Sequence, residues 1–315
     1  MNCLILGGNG FIGSHLVDLL LREGHGVRIY DRADDRFRSR LSQVEYVYGE
    51  LGNQGLIRAA LTDMDVIFHL VSTTIPATSN ADPAFDIQSN VVDTIRVLEE
   101  CVAARVKRFV FISSGGTIYG IPRTVPIPES HPLNPTCSYG IVKLTIEKYL
   151  ALFRRLYGLE YVILRPSNAC GERQNPFGQQ GVVGVFLGKI VRQEPIVVWG
   201  DGSVTRDFVY VGDLAAALYQ AAVCDNSEER IFNIGSGVGV SINQILEILS
   251  GIIGQDLDVH YTEARRFDVS VNVLDISLAK KYLGWAPTTD LTDGLSRTWA
   301  WIEEVFRDSS TTGAK

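Results

Sequence analysis

Tyr139 and Lys143 are the residues of this sequence whose types and spacing best suit acid–base chemistry. Residues four apart share one face of a helix, so these two side chains lie together if the segment is helical. An ammonium beside a phenol favours the phenolate, and tyrosine needs this help because its ordinary pKa is about 10. The same spacing is common on exposed amphipathic helices. The pair therefore predicts catalysis only together with a second site.

A glycine-rich segment near the first residue supplies that second site. It runs Gly7-Gly8-Asn9-Gly10-Phe11-Ile12-Gly13 and lies between an apolar run and a helical pattern. Glycines at these positions let the backbone approach a pyrophosphate, and the helix N-terminus presents free N–H groups to it. Asp31 ends the next apolar run, where it can accept hydrogen bonds from ribose hydroxyls and would repel a 2′-phosphate. The pattern predicts a site for NAD rather than NADP, although Arg32 could pair with a 2′-phosphate.

Strand-like and helix-like patterns alternate through the first half of the chain. This alternation predicts an α/β fold, a Rossmann-type doubly wound parallel sheet covered on both faces. We predict an NAD-binding domain over 1–167 with a return segment near 206–235, a smaller mixed α/β substrate domain over 168–307, and a disordered tail over 308–315. The predicted strands are Asn2–Leu6, Val27–Tyr30, Val44–Tyr48, Val66–Leu70, Phe109–Ile112 and Tyr161–Arg165, and the predicted helices are Phe11–Arg22, Ile87–Ala104, Tyr139–Leu156, Ser241–Ile252, Ser277–Leu283 and Leu291–Phe306.

Composition excludes several classes of protein. The 315 residues carry a formal net charge of −7, which argues against nucleic-acid binding. The five cysteines are scattered without metal-type spacing, so we expect neither a disulfide framework nor a metal site. No signal peptide is recognisable, and no run approaches the ~18 apolar residues of a membrane span. We therefore expect a cytoplasmic protein without a membrane partner.

Further segments follow one another in an order that resembles the extended short-chain dehydrogenase/reductase family, in its NAD-dependent epimerase/dehydratase branch. The resemblance covers the chain to about Ile302 and is specific because so many short motifs occur in the right order. Besides the glycine segment and the tyrosine–lysine pair, it includes Phe68-His69-Leu70, Asn90, Ser113-Ser114-Gly115-Gly116-Thr117-Ile118-Tyr119-Gly120, Leu164-Arg165-Pro166-Ser167-Asn168, Arg206-Asp207-Phe208-Val209-Tyr210-Val211 and Asn233-Ile234-Gly235-Ser236-Gly237.

The resemblance implies a role for each matching residue. Tyr139 would be the acid/base, and Lys143 would hold the cofactor ribose and lower the tyrosine pKa. Asn168 would contact the substrate near its diphosphate, which Arg206 and Arg265 would clamp, since a guanidinium matches phosphate oxygens in a bidentate way. The cofactor contacts implied are Gly7, Gly10, Phe11, Ile12, Gly13, Asp31, Arg32, Glu50, Leu51, Leu70, Asn90, Ser113, Tyr139, Lys143 and Pro166.

This sequence departs from the family pattern at Gly115, at Glu50-Leu51 and at Asn272. Gly115 stands where the family has a serine or threonine bonded to the substrate hydroxyl, so that hydrogen bond must come from Ser114, Thr117 or water, with Thr117 favoured. Glu50-Leu51 replaces an Asp-Ile type pair beside adenine, and the glutamate keeps the acceptor on a longer side chain. Asn272 aligns with a gate beside carbon 2 of the sugar, where an asparagine would leave room for an N-acetyl group.

The same loop selects among the family's reactions. Gly116 and Thr117 stand where the 4,6-dehydratases carry an Asp-Glu pair, and neither can do that acid–base work. We therefore predict NAD-dependent epimerisation of a UDP-sugar at carbon 4 through a transient 4-keto sugar, on UDP-glucose/UDP-galactose or the N-acetylhexosamine or uronic acid equivalents. A 4-ketoreductase or dehydrogenase on the same scaffold, and a non-catalytic NAD(H)-binding protein, stay open as alternatives. The helices around Asn90 and Lys143 resemble a family dimer interface, which implies a homodimer.

Overall fold

The computed structural model describes residues 1–178, 180–224, 229–264 and 269–312. Two π-helical segments, Ile87–Val92 and Ala279–Leu283, accompany the regular elements. The strands are β1 (Asn2–Leu6), β2 (Gly26–Asp31), β3 (Val44–Tyr48), β4 (Val66–His69), β5 (Arg108–Ile112), β6 (Tyr161–Pro166), β7 (Asn168–Cys170), β8 (Ile196–Trp199), β9 (Thr205–Tyr210), β10 (Ile231–Ile234), β11 (Gly239–Ser241), β12 (Val259–Thr262) and β13 (Val271–Asn272). The helices are α1 (Phe11–Arg22), α2 (Gln54–Ala60), α3 (Pro83–Asp86), α4 (Asp93–Ala103), α5 (Ser138–Tyr157), α6 (Val182–Val191), α7 (Val211–Val223), α8 (Ile242–Ile253) and α9 (Leu291–Thr312).

A seven-stranded parallel sheet, in the order β10-β6-β5-β4-β1-β2-β3, is the centre of the fold. Side chains alternate between the two faces of a strand, and β1 illustrates the result. Cys3 and Ile5 enter the apolar core covered by α1 and α7, whereas Leu4 and Leu6 enter the core covered by α2, α4 and α5. Burying both faces of the sheet confirms the predicted doubly wound Rossmann-type fold.

A smaller sheet is built around β9, which lies between β11 and β13 and also pairs with β7. Helices α6, α8 and α9 enclose a third apolar core against it. After β9, helix α7 packs against α1, and β10 then joins the large sheet beside β6. The chain therefore returns to the large sheet through α7 and β10, while 206–210 belongs to the smaller sheet. The division of the chain into two domains near residue 167 stays a prediction.

Some of the elements differ from what the sequence predicted or left open. Helices α6 and α7 were not predicted, because both are apolar around most of their circumference and lack the contrast of an amphipathic helix. Helix α9 continues to Thr312, beyond the residue 308 at which we predicted the tail to begin, and 313–315 lie outside the described residues; disorder of the tail stays a prediction. Within the described residues, no helix combines the length and the apolar character needed to cross a bilayer.

Candidate active site

The glycine segment forms a tight turn that brings the start of α1 against the end of β1. A Cβ at Gly13 would lie 2.2 Å from the carbonyl oxygen of Gly7, and Gly7 itself has a φ of +87°, which favours glycine. No side chain caps α1, and its first bond back into the turn runs from the Ser14 N–H to Gly10 O. The N–H groups of the first turn therefore remain available for an anion. This arrangement fits the pyrophosphate of NAD.

Asp31 lies at the carboxyl end of β2, directly beside this turn. Its carboxylate accepts the Asn9 N–H at 3.1 Å and the Arg32 N–H at 2.8 Å, and burial raises its pKa. These bonds fix the carboxylate at the edge of the glycine turn, the position predicted for the ribose hydroxyls. Nearby, Tyr30 Oη donates to the carbonyl oxygen of Glu50 at 2.7 Å, and Leu51 is buried, so the predicted adenine segment is anchored to the core.

Tyr139 and Lys143 lie on one face of the first turns of α5, as their spacing predicted. The ammonium of Lys143 is 3% exposed, donates to the carbonyl oxygen of Ile112 at 3.0 Å, and lies 5.6 Å from the centroid of the Tyr139 ring. Burial lowers the pKa of Lys143 to about 8, against the opposing charges of Asp86 and Glu147. The lysine is therefore held at the end of β5, next to the half-buried tyrosine.

The expected effect of Lys143 on Tyr139 is not found in the protein by itself. Burial raises the pKa of the Tyr139 phenol, and the nearby Cys137 and Asp86 raise it further. The ammonium faces the ring and donates to a backbone carbonyl, so its stabilisation of a phenolate does not outweigh the loss of hydration. A phenolate near neutral pH therefore needs a further positive charge, such as an oxidised nicotinamide ring would supply if it were bound beside the phenol.

The loop 113–120 brings Thr117 beside the start of α5. A Cβ at Gly140, the residue after Tyr139, would lie only 2.9 Å from the Thr117 carbonyl oxygen, so the two segments are in close contact. The Thr117 hydroxyl is buried and has no hydrogen-bond partner within the described residues. Ser114, the alternative, is half-buried. An unpaired buried hydroxyl is costly, but this one has no exposed surface, so the choice of Thr117 over Ser114 as the hydroxyl that meets a substrate stays a prediction.

Gly115 is a glycine because its surroundings leave no space for a side chain. A Cβ there would lie 2.5 Å from Leu274 Cδ1 and 3.0 Å from the carbonyl oxygen of Arg165. Its own carbonyl accepts a bond of 3.3 Å from the buried amide of Asn272. The serine or threonine typical of this position would therefore require Leu274 to move.

Two predicted cofactor contacts have side chains that are occupied by protein partners. The Ser113 hydroxyl donates to Glu147, and the amide of Asn90 bonds Thr73 and Asp86. Both residues are buried, and their contacts with the cofactor stay predictions. Two other predicted contacts, Leu70 and Pro166, are half-buried at the carboxyl ends of β4 and β6. The backbone of Leu70 lies against Gly7, and the carbonyl oxygen of Pro166 accepts the Gly115 N–H.

Buried Glu147 and Arg165 support this edge of the sheet and were not identified from the sequence. Their ion pair has a shortest distance of 2.7 Å, with side chains 3% and 2% exposed. Arg165 also donates to Tyr119 Oη at 3.0 Å, and Ser113 donates to Glu147. One signal was available, because Glu147 lies four residues after Lys143 and hence on the same helical face.

The predicted substrate residues lie on or beside the smaller sheet. Asn168 donates to the carbonyl oxygen of Asp207 at 3.0 Å, and the guanidinium of Arg206 donates to the carbonyl oxygens of Thr205 and Val269 at 2.9 and 2.6 Å. Asn272 pairs with Arg206 in the sheet and is 2% exposed. The predicted second clamp, Arg265, lies outside the described residues.

Fold and site together define an NAD-dependent enzyme of the short-chain dehydrogenase type, and comparison with known proteins gives the family. Residues 3–235 match the model of the NAD dependent epimerase/dehydratase family. The chain belongs to this family, and its cofactor is NAD.

Three similar proteins match this chain over nearly its whole length. The UDP-glucose 4-epimerase of Mycolicibacterium smegmatis is 35% identical over 317 residues, covering 98% of this chain and 100% of the relative. The crystal structure of a UDP-glucose 4-epimerase from Thermotoga maritima with UDP-glucose is 36% identical, with a TM-score of 0.92 over 97% of this chain and 100% of that one. A UDP-N-acetylglucosamine 4-epimerase from Methanobrevibacter ruminantium M1, in complex with UDP-N-acetylmuramic acid, is 30% identical, with a TM-score of 0.90 over 96% and 98%.

Proposed function

We propose that this chain is a UDP-sugar 4-epimerase that works with tightly bound NAD. The observation that carries the proposal is the buried Lys143 beside Tyr139 on α5, with the loop that carries Thr117 packed against Gly140, the residue after the tyrosine. The uncapped start of α1 lies at the carboxyl end of the same parallel sheet. The names of the similar proteins, two of them UDP-glucose 4-epimerases, support the same reaction.

Each group at the reacting end has a task in this reaction. When bound, NAD supplies reversible hydride transfer. Tyr139 takes the proton of the carbon 4 hydroxyl and returns a proton to the product, while the Thr117 hydroxyl aligns that oxygen. Lys143 holds the cofactor ribose and keeps a positive charge beside the phenol. No acid stands at Gly116 or Thr117, which disfavours loss of water from the sugar.

The diphosphate end would be held by the smaller sheet. Arg206 and Asn168 are positioned there by backbone carbonyls, and we propose Arg265 as the second clamp. The sugar itself stays open among plain hexoses, N-acetylhexosamines and uronic acids. We retain Asn272 as the residue beside carbon 2, and acceptance of an N-acetyl group would support it.

The test is incubation with single UDP-sugars and no added cofactor. UDP-glucose, UDP-N-acetylglucosamine and UDP-glucuronic acid are supplied separately, and NMR measures the configuration at carbon 4. We expect conversion of at least one, and a loss of at least about 100-fold in Tyr139→Phe, which keeps its bound NAD. Tyr149→Phe, on the same helix outside the site, is the matched control. Failure with all three sugars, or full activity of Tyr139→Phe, contradicts the proposal.

The same assay separates the alternatives. A 4-ketoreductase would consume added NADPH with a 4-keto nucleotide sugar and would epimerise none of the three substrates. A non-catalytic NAD(H)-binding protein would retain its cofactor and would convert neither the three UDP-sugars nor the 4-keto nucleotide sugar.

We also propose a cytoplasmic homodimer, for which the exposed apolar side chains of Leu152 and Leu156 on α5 offer a contact surface.

A further inference from the structure

Asp86 is a buried carboxylate beside the Tyr139–Lys143 pair that the reaction described above does not use. It ends α3 and is 0% exposed. One oxygen accepts the Thr74 hydroxyl at 2.7 Å and the Asn90 amide at 2.9 Å, and the other accepts the Ser138 hydroxyl at 2.7 Å. All three donors are neutral. The negative charge is therefore hydrogen-bonded but is not cancelled by any of these donors.

The bond to Ser138 connects this carboxylate with the position of Tyr139. Ser138 directly precedes the tyrosine at the start of α5, where no side chain of the preceding residue caps the helix. Its N–H donates to the side-chain oxygen of Asn80 at 2.9 Å. Asp86 and Asn80 both belong to the segment that follows β4. This segment thus fixes the first turn of α5, and with it the direction of the Tyr139 ring.

The pair is also faced by Glu147, His69 and Cys137, none of which is a carboxylate without a cationic partner. Glu147, on the same helix as Lys143, is paired with Arg165. His69, at the end of β4, has its pKa lowered to about 3 by burial, followed by the Lys143 charge, so it is neutral. Cys137 precedes the helix as a half-buried thiol. Among these neighbours, Asp86 is thus the carboxylate that faces Tyr139 and Lys143 with no guanidinium bonded to it.

The charge of Asp86 raises the pKa of both members of the pair. It favours the ammonium of Lys143, partly offsetting the burial that lowers the pKa of this group to about 8. It opposes ionisation of Tyr139, adding to the burial and to Cys137, which raise the pKa of the phenol. A negative charge held at this place keeps both groups protonated until NAD brings its positive charge.

We propose that Asp86 is a positioning residue of the Tyr139–Lys143 pair, which anchors the helix turn before Tyr139 and supplies the unpaired negative charge that keeps Lys143 an ammonium. This inference rests on the proposed acid/base role of Tyr139. It goes beyond that role because it assigns the control of the protonation states to a residue that touches neither substrate nor cofactor in the proposed site.

The test separates the charge of Asp86 from its hydrogen bond. Asp86→Asn removes the charge, Ser138→Ala removes the bond and keeps the charge, and Glu99→Gln removes an exposed charge from α4 as the control. The NAD-bound protein is labelled with 13C at the tyrosine ring, and the Tyr139 signal, assigned with Tyr139→Phe, is titrated by NMR. The pH dependence of kcat is measured in parallel. The titration needs no turnover, so it stays informative if the proposed reaction is wrong.

We expect Asp86→Asn to shift the Tyr139 titration and both limbs of the kcat profile to lower pH by about one unit, the effect of one nearby charge. Ser138→Ala should lower kcat without moving the titration, and Glu99→Gln should change neither. An unshifted titration in Asp86→Asn, or an equal shift in Ser138→Ala, overturns the proposal. If Asp86→Asn does not fold, Asp86→Glu decides: a wild-type titration supports the role of the charge, and a displaced one overturns it.

Discussion

Gly115→Ser restores the hydroxyl side chain expected at this position, and we predict that it destabilises the protein. The new Cβ would lie 2.5 Å from Leu274 Cδ1, so Leu274 must retreat by about 1 Å to reach ordinary contact distance. Leu274 is 0% exposed and belongs to the core covered by α1 and α7, so it must move within packed surroundings. Overpacking of a buried site costs about 1–3 kcal/mol, and we expect the free energy of unfolding to fall by that amount.

A double-mutant cycle makes the prediction specific to this contact. Leu274→Ala alone should cost about 2–5 kcal/mol, because it leaves a cavity in the core. In Gly115→Ser/Leu274→Ala the serine fills part of that cavity. We therefore expect the double variant to be more stable than the sum of the single changes implies, by at least about 1 kcal/mol.

Urea unfolding of the NAD-bound proteins, followed by circular dichroism, measures these differences. Gly116→Ser is the matched control, since a Cβ there would meet its nearest atom, Ser114 Oγ, at 3.9 Å. The packing argument fails if Gly115→Ser is as stable as the wild type or if the two changes are additive.

Three further predictions concern the ion pair, pH and assembly. Glu147→Gln should lower the free energy of unfolding in urea by about 3–5 kcal/mol, because it leaves the Arg165 charge buried alone. Burial raises the pKa of Glu129 from 4.5 to about 7, so the stability it contributes is full below pH 4.5 and is lost as the pH rises through 7. Glu129→Gln should reduce the difference in Tm between pH 5 and pH 8, and an unchanged difference contradicts this. Leu152→Asp with Leu156→Asp should halve the mass in analytical ultracentrifugation, and a wild-type protein that is already monomeric refutes the homodimer.

Local patterns were sufficient to predict the large sheet and the positions of its loops. Alternating apolar runs, the glycine segment and Asp31 all depend on residues close in sequence, and the structure places them at one sheet edge. The spacing of Tyr139 and Lys143 likewise determines their shared helical face. Helix α6 was missed because a short run that is apolar on every side predicts a strand and a buried helix equally well.

Contacts between distant segments could not be predicted, and these contacts determine the chemistry of the site. Nothing near Gly115 in the sequence indicates that Leu274 fills the space of its side chain. Whether Tyr139 is easier or harder to ionise depends on its burial and on Asp86, more than fifty residues before it. Spacing gives the direction in which side chains point, whereas a pKa depends on everything packed around them.

Asp207 connects the two sheets and thereby determines how the predicted diphosphate site is held. It is 0% exposed and accepts the Ser236 N–H at 2.7 Å, the Leu274 N–H at 3.2 Å and the Ser167 hydroxyl at 3.2 Å. These donors follow β10, β13 and β6, so one carboxylate joins both sheets directly beside Arg206. An asparagine would present an amide N–H among these donors, which costs about 1–3 kcal/mol. The proposed reaction, in which the sugar turns, requires that the diphosphate end stay fixed, and the bonds of Asp207 would provide that rigidity beside Arg206.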